Sequence, residues 1–412
     1  MKTRILFNFI LMTVLAASPL LGQEPQPVRM QAPMGSYEFA NQTNSTVIPF
    51  KLSENLIVIQ VELNGKNFNL ILDSGMPFDG AILFGSSKVD STKIKFGGKM
   101  PIGGVEGQPI LSDVSMGATL KVPNLTLSNQ MILVMPYDPA RGLRFEGKEG
   151  IIGFSFFAHL IVHINYDKQL ITFSKPGSSD LADSGQMVPV EVRNGRILLK
   201  ADVELEDGSK VPADLVVDTG NRSALSLNTG INSKISLPVT TVSWYATGMT
   251  SRIERKMGRI NSLNLGGIQL NHVLVSFNDG SAGAPPPWEK EGNLGSQTLR
   301  RFNLTFNIPG GKMYFKKNQA FDAPFEFNLP GFQVDRTEDA RMVVYHIISD
   351  SPADKSGIVP GDKIISVNGK PVSQLTKDEF EQEFSKSGSQ VSILIDRSGK
   401  QISINLKPEK FI

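Results

Sequence analysis

Apolar and polar residues alternate along much of this chain, which is the period-two pattern of half-buried strands. Ile57, Ile59, Val61 and Leu63 show it plainly, and similar short runs recur between turn-forming residues. One arrangement occurs twice. Val61-Glu62-Leu63, the turn Asn64-Gly65 and the run Asn69-Leu70-Ile71-Leu72 end in Asp73-Ser74-Gly75. Val203-Glu204-Leu205, the turn Asp207-Gly208 and the run Asp214-Leu215-Val216-Val217 end in Asp218-Thr219-Gly220. Asn-Gly and Asp-Gly between alternating runs predict hairpins. Each unit is therefore a hairpin whose second strand delivers an aspartate. The glycine permits a tight turn there, and the hydroxyl residue can bond nearby backbone.

A third element is matched in the same order. Glu149-Gly150-Ile151-Ile152-Gly153 follows the first aspartate, and Glu291-Gly292-Asn293-Leu294-Gly295 follows the second at nearly the same spacing. Both lead into a strand–turn–strand, 159–173 and 302–315. Three matched elements make an internal duplication. Asp183-Ser184-Gly185 is the same kind of tripeptide, but no apolar strand precedes it. It reads as a linker turn, so the strand context carries the signal and the bare tripeptide does not.

These residues make 45–317 resemble a two-lobed aspartic peptidase of the retropepsin and pepsin type. The resemblance implies a mainly β chain with two homologous retropepsin-like β-barrel lobes. It implies a catalytic pair, Asp73 and Asp218, with Ser74, Gly75, Thr219, Gly220, Gly153 and Gly295 supporting it. Hairpins at 96–104 and 243–249, the second carrying Trp244 and Tyr245, stand where that family has a substrate flap. Trp244 and Tyr245 suit either a peptide cleft or the core.

The pattern changes after 318–328. Ser351-Pro352-Ala353, Gly357, Pro360-Gly361-Asp362 and Val367-Asn368-Gly369 follow in order, and 375–387 shows helical spacing. This stretch resembles an α+β PDZ domain of bacterial secreted proteases, covering 329–409. The resemblance places a peptide-binding loop at Gly331 and Phe332, with peptide addition at the 332–336 strand. Pro330 departs from the usual loop because it has no N–H to donate.

Composition narrows the setting. The net charge of +2 gives no electrostatic case for nucleic acid. Lys2 and Arg4 precede an apolar run to Leu21, which reads as a signal peptide over 1–22. No stable membrane span is expected after its cleavage. The absence of cysteine excludes disulfides, thiolate metal sites and a cysteine nucleophile, and suits a bacterial envelope protein, periplasmic or extracellular. The expected order is a flexible leader (23–44), lobe one (45–175), a linker (176–186), lobe two (187–317), a linker (318–328) and the PDZ domain. A loop is expected at 280–287. The basic cluster Arg252, Arg255, Lys256 and Arg259 reads as a solvated loop.

Two adjacent carboxylates share a proton, so one serves as base and the other as acid. The expected activity is an aspartic-type endopeptidase acting on polypeptide through an activated water, with no metal or cofactor and a mildly acidic to near-neutral optimum. The PDZ domain would bind a peptide or protein segment. His159 and His163 lack the glutamate of a zinc-peptidase motif and read as structural. Gly153-Phe154-Ser155-Phe156-Phe157 lacks the final glycine of a nucleophile elbow. Met76 and Asn221 stand where the resembled family has small residues. Either can alter the pair, and the alternative function is a catalytically inactive peptide-binding protein.

Overall fold

The Asn64-Gly65 turn closes a two-residue hairpin. Both residues adopt positive φ (49° and 74°), and Leu63 faces Lys66. In this computed structural model the described residues are 35–103, 109–178, 181, 183–248, 252–278, 291–327 and 329–412. The signal peptide, most of the leader, the 280–287 loop, Gly104, Met249 and parts of both linkers lie outside them. All described residues belong to one compact unit, Pro33–Ile412.

The duplicated hairpins are Leu56–Leu63 with Lys66–Leu72, and Arg196–Glu204 with Lys210–Asp218. The second turn is longer: the Leu205 N–H donates to the Ser209 carbonyl at 2.9 Å. The third elements complete both copies. Gly150–Ile152 runs parallel to Lys66–Leu72 and antiparallel to Gly80–Phe84. Gly292–Gly295 runs parallel to Lys210–Asp218 and antiparallel to Leu225–Asn228. Even a polar fastening repeats. Glu149 accepts the Asn69 N–H at 2.9 Å, and Glu291 accepts the Asp214 N–H at 3.1 Å.

The returning hairpins join the copies. Ile161–Asn165 pairs with Phe302–Asn307 across one sheet, with Ile164 opposite Leu304. The protein is mainly β: among the described residues there are sheets of 9, 15 and 6 strands. One continuous apolar core runs through both lobes, from Phe39 to Phe325. A second core, including Phe332, Val344, Phe380 and Ile393, belongs to the C-terminal sheet.

Several expectations are corrected. Ser36–Phe39, expected within a flexible leader, is a strand paired with 125–128, because its alternation buries Phe39. Within the expected 318–328 linker, 320–324 is tied to the second lobe, since Arg301 donates to the carbonyls of Ala320, Phe321, Ala323 and Pro324. The basic cluster is a strand, Arg252–Arg259, not a loop. Its partner strand, Val242–Thr247, takes Trp244 onto Phe327 (5.0 Å between rings) and Tyr245 onto His346 (5.0 Å). Both residues are half-buried, with their rings packed on Phe327 and His346.

Candidate functional site

The strands Lys66–Leu72 and Lys210–Asp218 bring their two turns face to face. The contact between them is reciprocal. Ser74 Oγ donates to the Val217 carbonyl (2.7 Å) and accepts the Thr219 N–H (3.1 Å). Thr219 Oγ1 donates to the Leu72 carbonyl (2.7 Å) and accepts the Ser74 N–H (2.9 Å). Both side chains are fully buried.

The glycines explain how close the carboxyls come. A Cβ on Gly75 would stand 2.8 Å from Asp218 Cγ, and one on Gly220 would stand 2.4 Å from Asp73 Cγ. Each turn's glycine is thus the floor under the other turn's aspartate. Gly153 is equally constrained, because a Cβ there would meet the Asp73 carbonyl oxygen at 1.6 Å. On Gly295 it would meet the Ser223 carbonyl at 2.2 Å. All the expected lobe residues are therefore brought together around one pair.

A hydrogen bond joins Asp73 and Asp218, and each carboxylate accepts its own turn's glycine N–H, at 2.7 Å and 3.0 Å. Burial raises both carboxyls. Asp218 is pushed well above the usual range by burial and then by the charge and hydrogen bond of Asp73. Asp73 is also raised by burial, against the Gly75 N–H, the bond to Asp218, the Met76 N–H and Arg196. Both carboxyls are raised, so the pair shares one proton and titrates as a unit. Such a pair can donate and accept at once toward a group bound between the lobes.

Met76 is buried beside the pair. Asn221 does not reach it: its side-chain oxygen accepts the Ser223 N–H (3.0 Å) and hydroxyl (2.7 Å), closing a local turn. The asparagine that does reach it is Asn293, whose amide donates to Asp218 at 3.1 Å. Sequence reading missed this residue, although it lies inside the matched Glu-Gly-x-x-Gly element. Arg196 was missed because it lies on the partner strand of the hairpin.

The other polar candidates are accounted for. His159 bonds Asp79 at 2.9 Å, and that bond raises its pKa. His163 bonds Thr305 at 2.9 Å, and His346 bonds the Ser243 carbonyl at 3.0 Å. Among the described residues no serine hydroxyl is seen on a histidine ring, and no acidic or histidine cluster suits a metal. In the C-terminal sheet, Gly331 has φ 81° and its carbonyl accepts the Ile348 N–H. Phe332 is buried and opens the terminal strand Phe332–Arg336.

Residues 326–396 match the family model of the PDZ domain. The chain is 26% identical over 255 residues to "Putative protease Do-like 14" of Arabidopsis thaliana, covering 51% of this chain and 57% of that protein. It is 36% identical over 156 residues to "Periplasmic serine endoprotease DegP" of Escherichia coli (strain K12), covering 36% of this chain and 31% of that protein. It is 36% identical over 73 residues to "Carboxy-terminal processing protease CtpB" of Bacillus subtilis, covering 17% and 15%. The matches thus span less than two thirds of each relative. A PDZ domain is present near the C-terminus, and the similar proteins are proteases that include serine endoproteases.

These relatives correct the expected activity. The expected aspartic-type endopeptidase, with its aspartyl and retropepsin labels of activity, conflicts with these relatives, among them a serine endoprotease, which is a different catalytic type. The duplicated motif reports a carboxylate pair. It does not report what reaction the chain performs.

Proposed function

We propose that this chain is a polypeptide-binding protein of the bacterial envelope, related to PDZ-bearing proteases. The observation that carries this reading is the PDZ match at 326–396, a module that takes extended peptides on a sheet edge. The periplasmic name of the Escherichia coli relative supports the compartment. Among the described residues no helix is long and apolar enough to cross a membrane.

In this reading the domains are 45–175 with the 36–39 strand added, 187–317 with the segment up to 327 added, and 329–409. The two lobes are retropepsin-like barrels, supported by the duplicated strand order and the reciprocal Ser74–Thr219 contact. Asp73 and Asp218 form a proton-sharing site toward polypeptide held between the lobes. Ser74, Gly75, Thr219, Gly220, Gly153 and Gly295 position it. Gly331 and Phe332 shape the PDZ peptide loop. No cleavage step is assigned to the pair.

The test is titration of labelled peptides against the full chain, followed by fluorescence anisotropy and by NMR shifts in 329–409. Saturable binding with shifts at Gly331–Arg336 is expected, and its absence overturns the reading. A parallel turnover assay on unfolded polypeptide includes a serine-directed reagent and Asp73→Asn. Turnover that resists the reagent yet disappears in Asp73→Asn would overturn the correction drawn from the relatives.

A further inference from the structure

Glu54 is the most unusual carboxylate outside the pair. Its side chain is only 5% exposed, yet it faces three cations from three parts of the chain. Lys148 approaches at 2.8 Å and Arg222 at 3.1 Å, and Lys377 completes the set. Lys148 immediately precedes the Glu149–Gly153 element. Arg222 lies four residues after Asp218, in the same loop. Lys377 opens the PDZ helix Lys377–Gln382. Burial alone would raise this carboxyl, but the three cations hold it at about 2, so it stays ionised at any working pH.

The surrounding bonds make the junction specific. Asp378 accepts from Ser53 Oγ at 2.7 Å and from the Glu54 N–H at 2.8 Å. Asn55 donates to the Arg222 carbonyl at 3.3 Å. The Arg222 guanidinium lies over Phe145, 5.4 Å from its centroid. Beside Phe145, Glu146 touches both sides of the PDZ unit. It accepts the Lys377 N–H at 2.9 Å and lies 3.7 Å from Arg336, which ends the terminal strand Phe332–Arg336. The lobe-one helix Pro139–Arg144 packs against that same strand.

We propose that residues 139–148 of the first lobe close the peptide-binding side of the PDZ unit, and that Glu54 makes its opening and the release of the Asp218 loop one event. A peptide seated between Phe332–Arg336 and Lys377–Gln382 has to displace Glu146 and separate Lys377 from Glu54. Asp378 then also leaves Ser53 Oγ and the Glu54 N–H. The 53–55 turn, which grips Arg222 through Glu54 and Asn55, thus loses its anchor on the PDZ helix and with it the hold on the loop beside Asp218. The PDZ unit thereby reports its occupancy to the carboxylate pair through a buried charge cluster. The contacts stand independently of the proposed function. Only their displacement by peptide rests on it.

The test is hydrogen–deuterium exchange on the full chain, wild type against Lys377→Met and Glu54→Gln. The amides of 391–406 serve as the folding control. Both variants are expected to speed exchange at least about tenfold in 372–384 and also in 219–226. Faster exchange confined to 372–384 in Lys377→Met would overturn the coupling, even if Glu54→Gln unfolds. A fluorescent peptide of sequence 139–148, added in trans, should bind Lys377→Met and Glu146→Gln at least about tenfold more tightly than wild type. Equal binding to wild type and variants overturns the closure. If no protein binds the peptide while both segments still exchange together, the coupling stands, the closure falls, and the peptide-binding reading is what has failed.

Discussion

Thr219→Val removes one hydroxyl while keeping the shape of a fully buried side chain. Two backbone groups lose their partner: the Leu72 carbonyl, 2.7 Å away, and the Ser74 N–H, 2.9 Å away. No water reaches a fully buried site cheaply, so each orphaned group costs about 1–3 kcal/mol. Both groups belong to the first lobe, so the loss falls on the junction between lobes. A total of about 3 kcal/mol is expected, which lowers Tm by roughly 4 °C for the unit Pro33–Ile412. Calorimetry measures that directly. Ser74→Ala should cost a similar amount, because it strips the Val217 carbonyl and the Thr219 N–H. The double variant should cost less than the sum, since the first substitution already loosens the contact the second would break. A second readout follows from the glycine floors. If the turns separate, water reaches the carboxyls, and the raised Asp218 pKa moves toward the ordinary range in a carboxyl-carbon NMR titration. A Tm loss under about 2 °C, or an unchanged Asp218 titration, would refute the reasoning.

Asp218 is raised in the folded protein, so its contribution to stability is complete below the unfolded carboxyl pKa and is lost as pH rises through the folded value. Asp218→Asn should therefore gain stability relative to wild type as pH rises, in urea titrations; a constant difference across pH would contradict it. Glu54 has the opposite sign. Its pKa falls from 4.5 to about 2, so its stabilisation is present above 4.5 and is lost as pH drops toward 2. Roughly 3 kcal/mol of acid-sensitive stability should disappear in Glu54→Gln, measured the same way. Gly153→Ala places a Cβ against the Asp73 carbonyl, so the protein should fail to fold or should lose the Asp73–Asp218 contact in NMR spectra.

The duplication was legible because every part of it is local. The hairpin turns, the Asp-hydroxyl-Gly ends and the Glu-Gly-x-x-Gly elements each occupy a few consecutive residues, and the two copies check each other. The Asp183 turn, with no strand before it, was separable on the same ground. The PDZ unit was legible for a similar reason: its turns and strands follow one another in the chain, and Ser351, Gly357 and Thr376 cap or end the short helices where the pattern places them. Tertiary partners were not legible. Trp244 and Tyr245 suit a cleft or the core equally in the sequence, and only the fold sets Phe327 and His346 against them. Asn221 looked poised to bond the pair, but its own Ser223 is nearer and fits a short polar turn better. The leader looked flexible because proline and glutamine dominate its start, yet Phe39 finds the core.

The same division separates recognition from chemistry. The PDZ module occupies a continuous stretch, so similarity to several proteases identifies it even where the rest of those proteins is not covered. A reactive site has no such continuity. Asp73 and Asp218 lie far apart in sequence, and their protonation depends on burial, on each other, on the turn N–H groups and on Arg196. Neighbours of this kind set how the pair titrates, and no motif spells them out. Glu54 is the extreme case. Its chain neighbours are an ordinary surface turn, while its partners Lys148, Arg222 and Lys377 come from three distant segments. Those partners bind the PDZ unit to the loop beside the carboxylate pair, so the chain's two separately legible regions meet at a residue that neither pattern marks.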